Sequence, residues 1–559
     1  MTTLIPKYDQ GSTGAVNRPF NKKLAEVISV KDFGAVGDGS TDDTAAIQAA
    51  LAAIKANGGG TLYFPKSTGA YYVARVVDPN VIQAASVFKL ASNTYVEFDQ
   101  GAQIVYNGSS NATVSNAVMG LFGVDWTALP VKNIGFINCN FVQTRPLASA
   151  TDNMSAIQLA VPTDSPNGSI QNVHIEGCNF DYCYIYITQR ITNTNSSLYG
   201  DRQTQNVIIT NCIAINNASQ FVTVDGNSIT VANCIASGIP GDTTQSYEAI
   251  SCHCGFNINI VDNIFSNYHV GSVINVRDDT NTGCGSKNIN IIGNTIHDCT
   301  APQAIQLSTS GSPAANQGLF NITISGNTIY DCVSAINIIR AGTGALGQIS
   351  ITGNIITADS YGIFCSQAIA NSVQDLLIAN NDIHMTSSGG FALSILGLTF
   401  GSVTGNNFIS DNASSSYQLV YIAGCSVVSV TGNSMFTSAT NSAGVVKIGD
   451  TSKTVNQFSF VGNTVYCSSN FSNFGSFCKV LDNNFAANAT INGNVLGTTK
   501  VSYSDSNVTW TNNIAPTTGT WSQSDITYNS NPTAGGYTGW ICTTSGTPGT
   551  WKTFGAISA

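Results

Sequence analysis

The sequence predicts an all-β chain wound as a parallel β-helix, and three observations carry that expectation. A short phrase returns along the chain, an Asn followed two positions later by an apolar residue, starting at Asn211, Asn233, Asn263, Asn294, Asn327, Asn354, Asn381, Asn406, Asn433 and Asn463. The intervals are 22, 30, 31, 33, 27, 27, 25, 27 and 30 residues, a period that marks a stacked-repeat architecture. Around each Asn, β-branched residues alternate with small polar ones, as in Ile322-Thr-Ile324-Ser-Gly-Asn-Thr-Ile329, the period-two signature of a strand. Only 9% of residues are charged while 53 are Gly, a composition suited to short strands and tight turns.

A coil of two or three short strands cannot bury its apolar face alone. Stacked about 4.8 Å from its neighbours, it shares backbone hydrogen bonds with them and encloses a continuous core. The recurring Asn suits a sharp corner, because Asn tolerates positive φ and its amide bonds locally or to the Asn one coil on.

In chain order, residues 1–26 mix polar residues with Pro6 and Pro19 and read as an arm, either a docking segment or a lead-in strand. Residues 27–79 are expected to hold a helix and the first strands. Ser40 or Thr41 is the expected cap, Asp42 and Asp43 suit the first turn, and Ile47, Leu51 and Ile54 form an apolar stripe that ends before Gly58-Gly-Gly60. Such a helix covers the open end of the stack, where strand edges and core would otherwise face water. Residues 80–497 make the β-helix, ragged at first, with insertions at 144–155, 161–169 and 191–205. From about residue 498 the composition shifts to Ser, Thr, Asn and Trp; Trp540 and Trp551 flank a Gly/Pro turn and predict a hairpin in a small C-terminal β module, residues 498–559.

The net charge of −10 excludes nucleic acid, whose phosphates need a basic face. No segment reaches the roughly 18 consecutive apolar residues of a membrane span, and the first residues lack a secretory signal, so no membrane insertion is expected and synthesis is placed in a cytoplasm. Of the 15 cysteines, Cys212, Cys234, Cys252, Cys332 and Cys365 fall on core or turn positions and are expected as buried, reduced thiols. Cys252-His253-Cys254 is not read as zinc-binding, because strand alternation points His253 away from Cys252. No metal or cofactor is expected.

With charge so scarce, its placement is informative. Aligning one strand of each coil on its inward apolar pair gives Val222 and Val224, Ile250 and Cys252, Ile274 and Val276, Ile305 and Leu307. The next residue faces outward, so Asp225, His253 and Arg277 fall in one column, with Asp278 and Asp279 beside it. Glu248, one of four Glu in the chain, lies two residues before Ile250. Carboxylates one or two coils apart approach the separations of roughly 5–5.5 Å and 6.5–9.5 Å used by retaining and inverting glycosidases. Asp225, Glu248 and Asp278 are therefore the candidate catalytic carboxylates, in the pairs Asp225 with Asp278 or Glu248 with either. His253, Arg277, Asp279, Tyr247 and Tyr186 are candidate substrate-binding residues. Turn formation by the Asp residues, with Arg277 neutralising Asp225, is the competing structural reading. Glu176, Asp181 and Arg190 form a second, weaker cluster. A β-eliminating alternative places His253 or Arg277 near the base and Tyr247 or Tyr268 as the acid.

The stretch Val30-Lys-Asp-Phe-Gly-Ala-Val-Gly-Asp-Gly-Ser-Thr-Asp-Asp-Thr44, the Ala-rich segment after it, Gly58-Gly-Gly-Thr-Leu-Tyr-Phe-Pro65 and Tyr71-Tyr-Val73 resemble the opening of pectate-lyase-like right-handed β-helix proteins, particularly bacteriophage tailspikes and depolymerases. The resemblance implies a right-handed helix, a homotrimer, a place on the virion tail, and attachment to a tail or adapter protein through residues 1–26. It implies that Asp38, Asp42 and Asp43 belong to a capping element, not a metal cluster. It also implies a protein that binds and depolymerises a bacterial surface polysaccharide: capsule, O-antigen or exopolysaccharide. Hydrolysis by paired carboxylates is the expected chemistry; a polysaccharide lyase and a non-catalytic receptor-binding spike are the alternatives.

Overall fold

The structure is a computed structural model. It describes residues 7–24, 26–74, 85–106, 119–125, 128–144, 154–161, 169–189, 204–217, 220–244, 248–278, 285–300, 303–309, 318–340, 345–367, 373–386, 390–411, 418–437, 445–449, 455–467, 478–480, 489–496, 499–504, 507–512, 514–517, 521, 523–529 and 531–559. The chain divides into two compact units, residues 1–333 with 341–345 and residues 334–340 with 346–559. Within each, strands pair in parallel with the strand one coil on, and the described residues make a β-solenoid of about 11 turns.

The strands that matter most for function lie in the first unit: Ile185–Gln189, Gln220–Val224, Glu248–Cys252, Ile274–Arg277 and Ile305–Thr309, each paired in parallel with the next. Their inward residues Val222, Ile250, Ile274 and Ile305 stack in one column, and Val224, Cys252, Val276 and Leu307 in another, all fully buried. Each large apolar side chain so buried contributes about 1.5–3 kcal/mol. A bend precedes each strand's outward face, marked by two consecutive buried residues such as Ala249 and Ile250, whose N–H groups both donate to Val273 O at 2.8 and 3.0 Å.

At the start of the chain Lys7–Tyr8 pairs antiparallel with Arg18–Pro19. The helix runs Thr44–Ala56, three residues later than a Ser40 cap requires and two later than a Thr41 cap. The reason is local: Ser40 and Thr41 are drawn into a turn around Asp38, to which both hydroxyls donate, at 3.1 and 2.8 Å. Asp38 also accepts Thr41 N–H and Ser40 N–H, which hold its carboxyl well below the usual carboxylate range. Asp43 precedes the helix, but its buried carboxylate accepts Val36 N–H at 2.6 Å and Gly37 N–H at 3.1 Å instead of capping. Asp42 ties Thr44 N–H to Ala74 N–H, both at 3.1 Å. The three carboxylates thus organise the loop. The helix buries Ile47, Ala50, Leu51 and Ile54 and packs on Val27–Ser29 and Gly60–Phe64.

The recurring Asn divides the two roles expected of it between two residues. The left-handed position is the residue before the ladder: Asp262 and Gly293 in the first unit, Asn380, Gly405, Gly432 and Gly462 in the second. The ladder Asn follows it, buried to 1% exposure or less. In the first unit Asn263 Nδ2 donates to Asn294 Oδ1 and Asn294 Nδ2 to Asn327 Oδ1, each at 3.0 Å. In the second, Asn354, Asn381, Asn406, Asn433 and Asn463 continue likewise at 2.8–2.9 Å. Each acceptor oxygen also takes the backbone N–H of the preceding ladder Asn.

Asn211 and Asn233 are not members of this row. Ile235 pairs with Ile264, so Cys234 aligns with Asn263, and Asn211 and Asn233 take the left-handed position at φ 57° and 54°. Cys139, Cys178, Cys212 and Cys234 occupy the ladder site in these earlier coils, their thiols directed at Val96 O, Phe136 O, Ile175 O and Ile209 O. A second, solvent-facing Asn row occupies another corner of the first unit. Asn133 donates to Asn93 and Asn172 to Asn133, Asn288 to Asn257 and Asn321 to Asn288, at 2.8–3.0 Å, all with positive φ.

Burial pushes the Cys183, Cys252 and Cys425 thiols up to about 12. Cys254, just past Glu248–Cys252 and 5% exposed, is disulfide-bonded, unlike the buried free thiols of Cys212, Cys234, Cys252, Cys332 and Cys365. In the C-terminal segment, Ala489–Leu496, Thr499–Ser504 and Asn507–Asn512 run antiparallel, and Tyr537–Thr544 pairs antiparallel with Thr550–Ala556 as the expected hairpin. Trp551 stands edge-on to Trp521 at 4.9 Å. Among the described residues no helix is long and apolar enough to cross a membrane.

Asn406→Leu removes the acceptor for both Asn381 N–H and Asn381 Nδ2 and is expected to lower stability by at least about 2 kcal/mol. Asn257→Gly, in the solvent-facing row, keeps the left-handed backbone and is expected to cost less than about 1 kcal/mol; denaturant midpoints check both. At pH 8 the Cys183, Cys252 and Cys425 thiols lie far below their titration and stay protonated. Peptide mapping after iodoacetamide treatment is expected to find them alkylated only in denaturant.

Candidate functional site

On the third strand of these coils the outward residues Thr223, Ser251 and Asn275 are 5% exposed or less, while Asp225, Glu248, His253 and Arg277 are half-buried, and pairing fixes which residues meet. Asp225 and His253 each follow the last strand residue of successive coils, and Arg277 ends the next strand, paired with Ser308. Because Cys252 aligns with Val276, His253 aligns with Arg277. His253 N–H donates to Asp225 Oδ1 at 2.7 Å, which fixes the carboxylate against the next coil. His253 Nε2 lies 2.8 Å from Ser251 Oγ, so the ring is held along its own strand.

A second outward row runs Tyr186, Thr223, Ser251, Asn275 and Gln306. Glu248, opposite Gln220 on the far side of the bend, leans into it. Its Oε1 accepts Asn275 Nδ2 at 2.7 Å and its Oε2 accepts Gln220 Nε2 at 3.3 Å. Both carboxylate oxygens therefore accept from amide donors of the coils on either side. The result is a continuous polar patch over three coils: Asp225 and Glu248 at its ends, His253, Ser251 and Asn275 between.

Asp278, next to Arg277, is only 2% exposed, with its N–H donating to Ser308 O at 3.3 Å. Tyr186 stands edge-on to Tyr184 at 6.2 Å, one coil before Thr223. Tyr247 and Asp279 lie outside the described residues, as do 190–203 and 310–317. Tyr268 is fully buried, and that burial pushes its phenol well above the ordinary value; it cannot meet a surface substrate as an acid. In the second cluster, Glu176 pairs with His174 at 3.2 Å, Asp181 accepts Asn216 Nδ2 at 2.9 Å, and Arg190 lies outside the described residues. Among the described residues no three His, Cys, Asp or Glu side chains converge as metal ligands.

Gln220, Ser251 and Asn275 are the members of the patch that a search for charge passes over. Their signal is positional: they occupy outward register positions in the coils that carry Asp225, Glu248 and Arg277.

Residues 27–300, a stretch that contains the whole patch, match the family described as rhamnogalacturonase A/epimerase, pectate lyase-like. Mannuronan C5-epimerase AlgE3 of Azotobacter vinelandii is 48% identical over 69 residues, which is 12% of this chain and 3% of that protein. Alginate lyase 7 of the same organism is 61% identical over 46 residues, 8% of this chain and 5% of that protein. The chain thus covers only a small fraction of the length of these relatives. The tailspike protein of Escherichia coli bacteriophage HK620, solved in complex with a pentasaccharide, aligns with 98% of this chain and 95% of its own at a TM-score of 0.59 and 14% identity. The chain therefore has the fold of a right-handed parallel β-helix, pectate-lyase-like over residues 27–300.

Proposed function

We propose that the protein is a bacteriophage tailspike that binds a bacterial surface polysaccharide and hydrolyses its glycosidic bonds, with Asp225 and Glu248 as the working carboxylate pair. The observation that carries this reading is the patch itself: two half-buried carboxylates, each held by donors from adjoining coils, beside the imidazole of His253 and the buried Ser251 and Asn275 side chains. Gln220 pairs with Glu248, so Asp225 lies one coil away from Glu248 and five residues further along the strand, a backbone offset of about 17 Å that the Glu248 side chain shortens by reaching toward Asn275. A pair acting across such a gap is of the wider, inverting kind and not the retaining one. Glu248, with both oxygens occupied by amide donors, suits the base that activates water. Asp225, with Oδ1 on a backbone N–H, supplies the acid that protonates the leaving oxygen.

His253, Arg277, Tyr186, Tyr247 and Asp279 then contact the sugar, and buried Asp278 stands behind Arg277. The pentasaccharide bound by the HK620 tailspike supports the glycan as ligand. The same reading makes the protein a homotrimer on the virion tail, joined to the tail or an adapter through residues 1–26, with residues 498–559 serving trimerisation or glycan binding.

A second reading, β-elimination, is favoured by the short matches to alginate lyase 7 and the mannuronan epimerases. It needs a uronate substrate, and the burial of Tyr268 leaves Tyr247 as the acid.

Incubation of the full chain with glycans of candidate hosts, followed by mass spectrometry and NMR, separates these readings. New reducing ends of inverted anomeric configuration are expected. Asp225→Asn and Glu248→Gln are each expected to slow turnover by about 100-fold or more, and Asp278→Asn by less. Unchanged turnover in the first two variants discards the site. Products with the absorbance of unsaturated sugars establish the lyase, and binding without new reducing ends establishes a non-catalytic spike.

A further inference from the structure

The second unit carries a row of aromatic rings on an outer sheet face. Tyr361 stacks on Phe391 of the next coil at 5.8 Å with planes 7° apart, Phe364 lies 4.5 Å from Tyr361, and Phe391 reaches Tyr421 at 6.0 Å. All four are half-buried. Lys447, paired with Tyr421 one coil on, sets its ammonium over the Tyr421 ring, 4.6 Å from the centroid. The next residue in that register is Lys479. Between Phe364 and Tyr421 the same register position holds Ser394, 1% exposed. Contiguous apolar area left facing water in this way marks a binding surface.

We propose that this row is a binding platform for an acidic polysaccharide, separate from the Asp225 and Glu248 patch. Tyr361 and Phe364 on one coil, Phe391 in register with Tyr361 on the next and Tyr421 in register with Phe364 two coils on form a cluster of rings 4.5–6.0 Å apart across three coils. A sugar polymer matches it: the C–H faces of successive pyranose rings lie on the aromatic faces while the hydroxyls stay in water. Lys447 selects the charge of the ligand. In a chain of net charge −10 with only 21 Lys and Arg, the general field repels a polyanion. An ammonium held over the Tyr421 ring at the end of the aromatic cluster supplies the local attraction that a carboxylate-bearing sugar needs. This inference rests on the glycan-binding part of the proposed function but not on its chemistry.

Affinity electrophoresis of the full chain tests it, in gels containing alginate or polygalacturonate as acidic probes and dextran as the neutral control. Retardation is expected in an acidic gel and not in dextran. Lys447→Gln and Phe391→Ala are each expected to weaken it about tenfold, a loss of about 1.4 kcal/mol, with unchanged thermal midpoints. Asp225→Asn and Glu248→Gln are expected to leave it intact, so failure of the catalytic assignment does not imitate failure here. Three results overturn the platform: no retardation by either acidic probe, equal retardation of the Lys447→Gln variant, or retardation by dextran alone. Sedimentation of Tyr421→Ala supplies a fourth, since dissociation of an oligomer shows that a second copy of the chain covers the row.

Discussion

Everything in this molecule depends on register between coils. Parallel backbone pairing alone leaves a strand free to slip by two residues without changing which face is buried. The buried Asn row removes that freedom. Each side-chain oxygen accepts both the backbone N–H and the amide of the ladder residue before it, so a slipped coil leaves several buried polar groups without partners. In the earlier coils of the first unit Cys holds the same position through weaker thiol contacts with carbonyls. Regular apolar columns then fill the interior, and the outer faces are released from any structural duty.

That division is what permits function. On the first unit's third strand the outward positions carry Asp225, His253, Ser251, Asn275 and Glu248, residues far apart in sequence and adjacent in space because the coils keep step. Glu248 illustrates the point. It is joined to Gln220 on one side and Asn275 on the other, so its orientation is set by two neighbouring coils and not by its own backbone. On the second unit the same freedom is used for aromatic rings and lysine. Rigid strands give such groups a fixed geometry, a condition for a working carboxylate pair.

The fold and the Asp225, His253 and Arg277 column are legible in the sequence because the inward pairs, Val222 and Val224 through Ile305 and Leu307, are aligned by period-two alternation that tolerates no shift. What the sequence hides is set by contacts between coils. Asn211 and Asn233 look like ladder members, and only pairing shows that the adjacent Cys212 and Cys234 hold that place. Asp43 looks like a first-turn helix residue, yet it turns back to the Val36 and Gly37 N–H groups. The neutral residues of the patch, Gln220, Ser251 and Asn275, are common types whose importance comes only from what stands beside them. The solvent-facing row of Asn93, Asn133 and Asn172 recurs as Asn before a β-branched residue, Thr94, Ile134 and Val173, a signal present in the sequence but less conspicuous than the Gly-Asn phrase.

The central claim is that Asp225 and Glu248 act on one bond as a pair. A double-mutant cycle on glycan turnover measures this directly, comparing Asp225→Asn, Glu248→Gln and the double variant under one set of conditions. Groups that act as a unit are strongly non-additive. The double variant is expected to be no more than a few-fold slower than the slower single one. Multiplication of the two single effects, or a single variant with the full rate, would contradict a shared site.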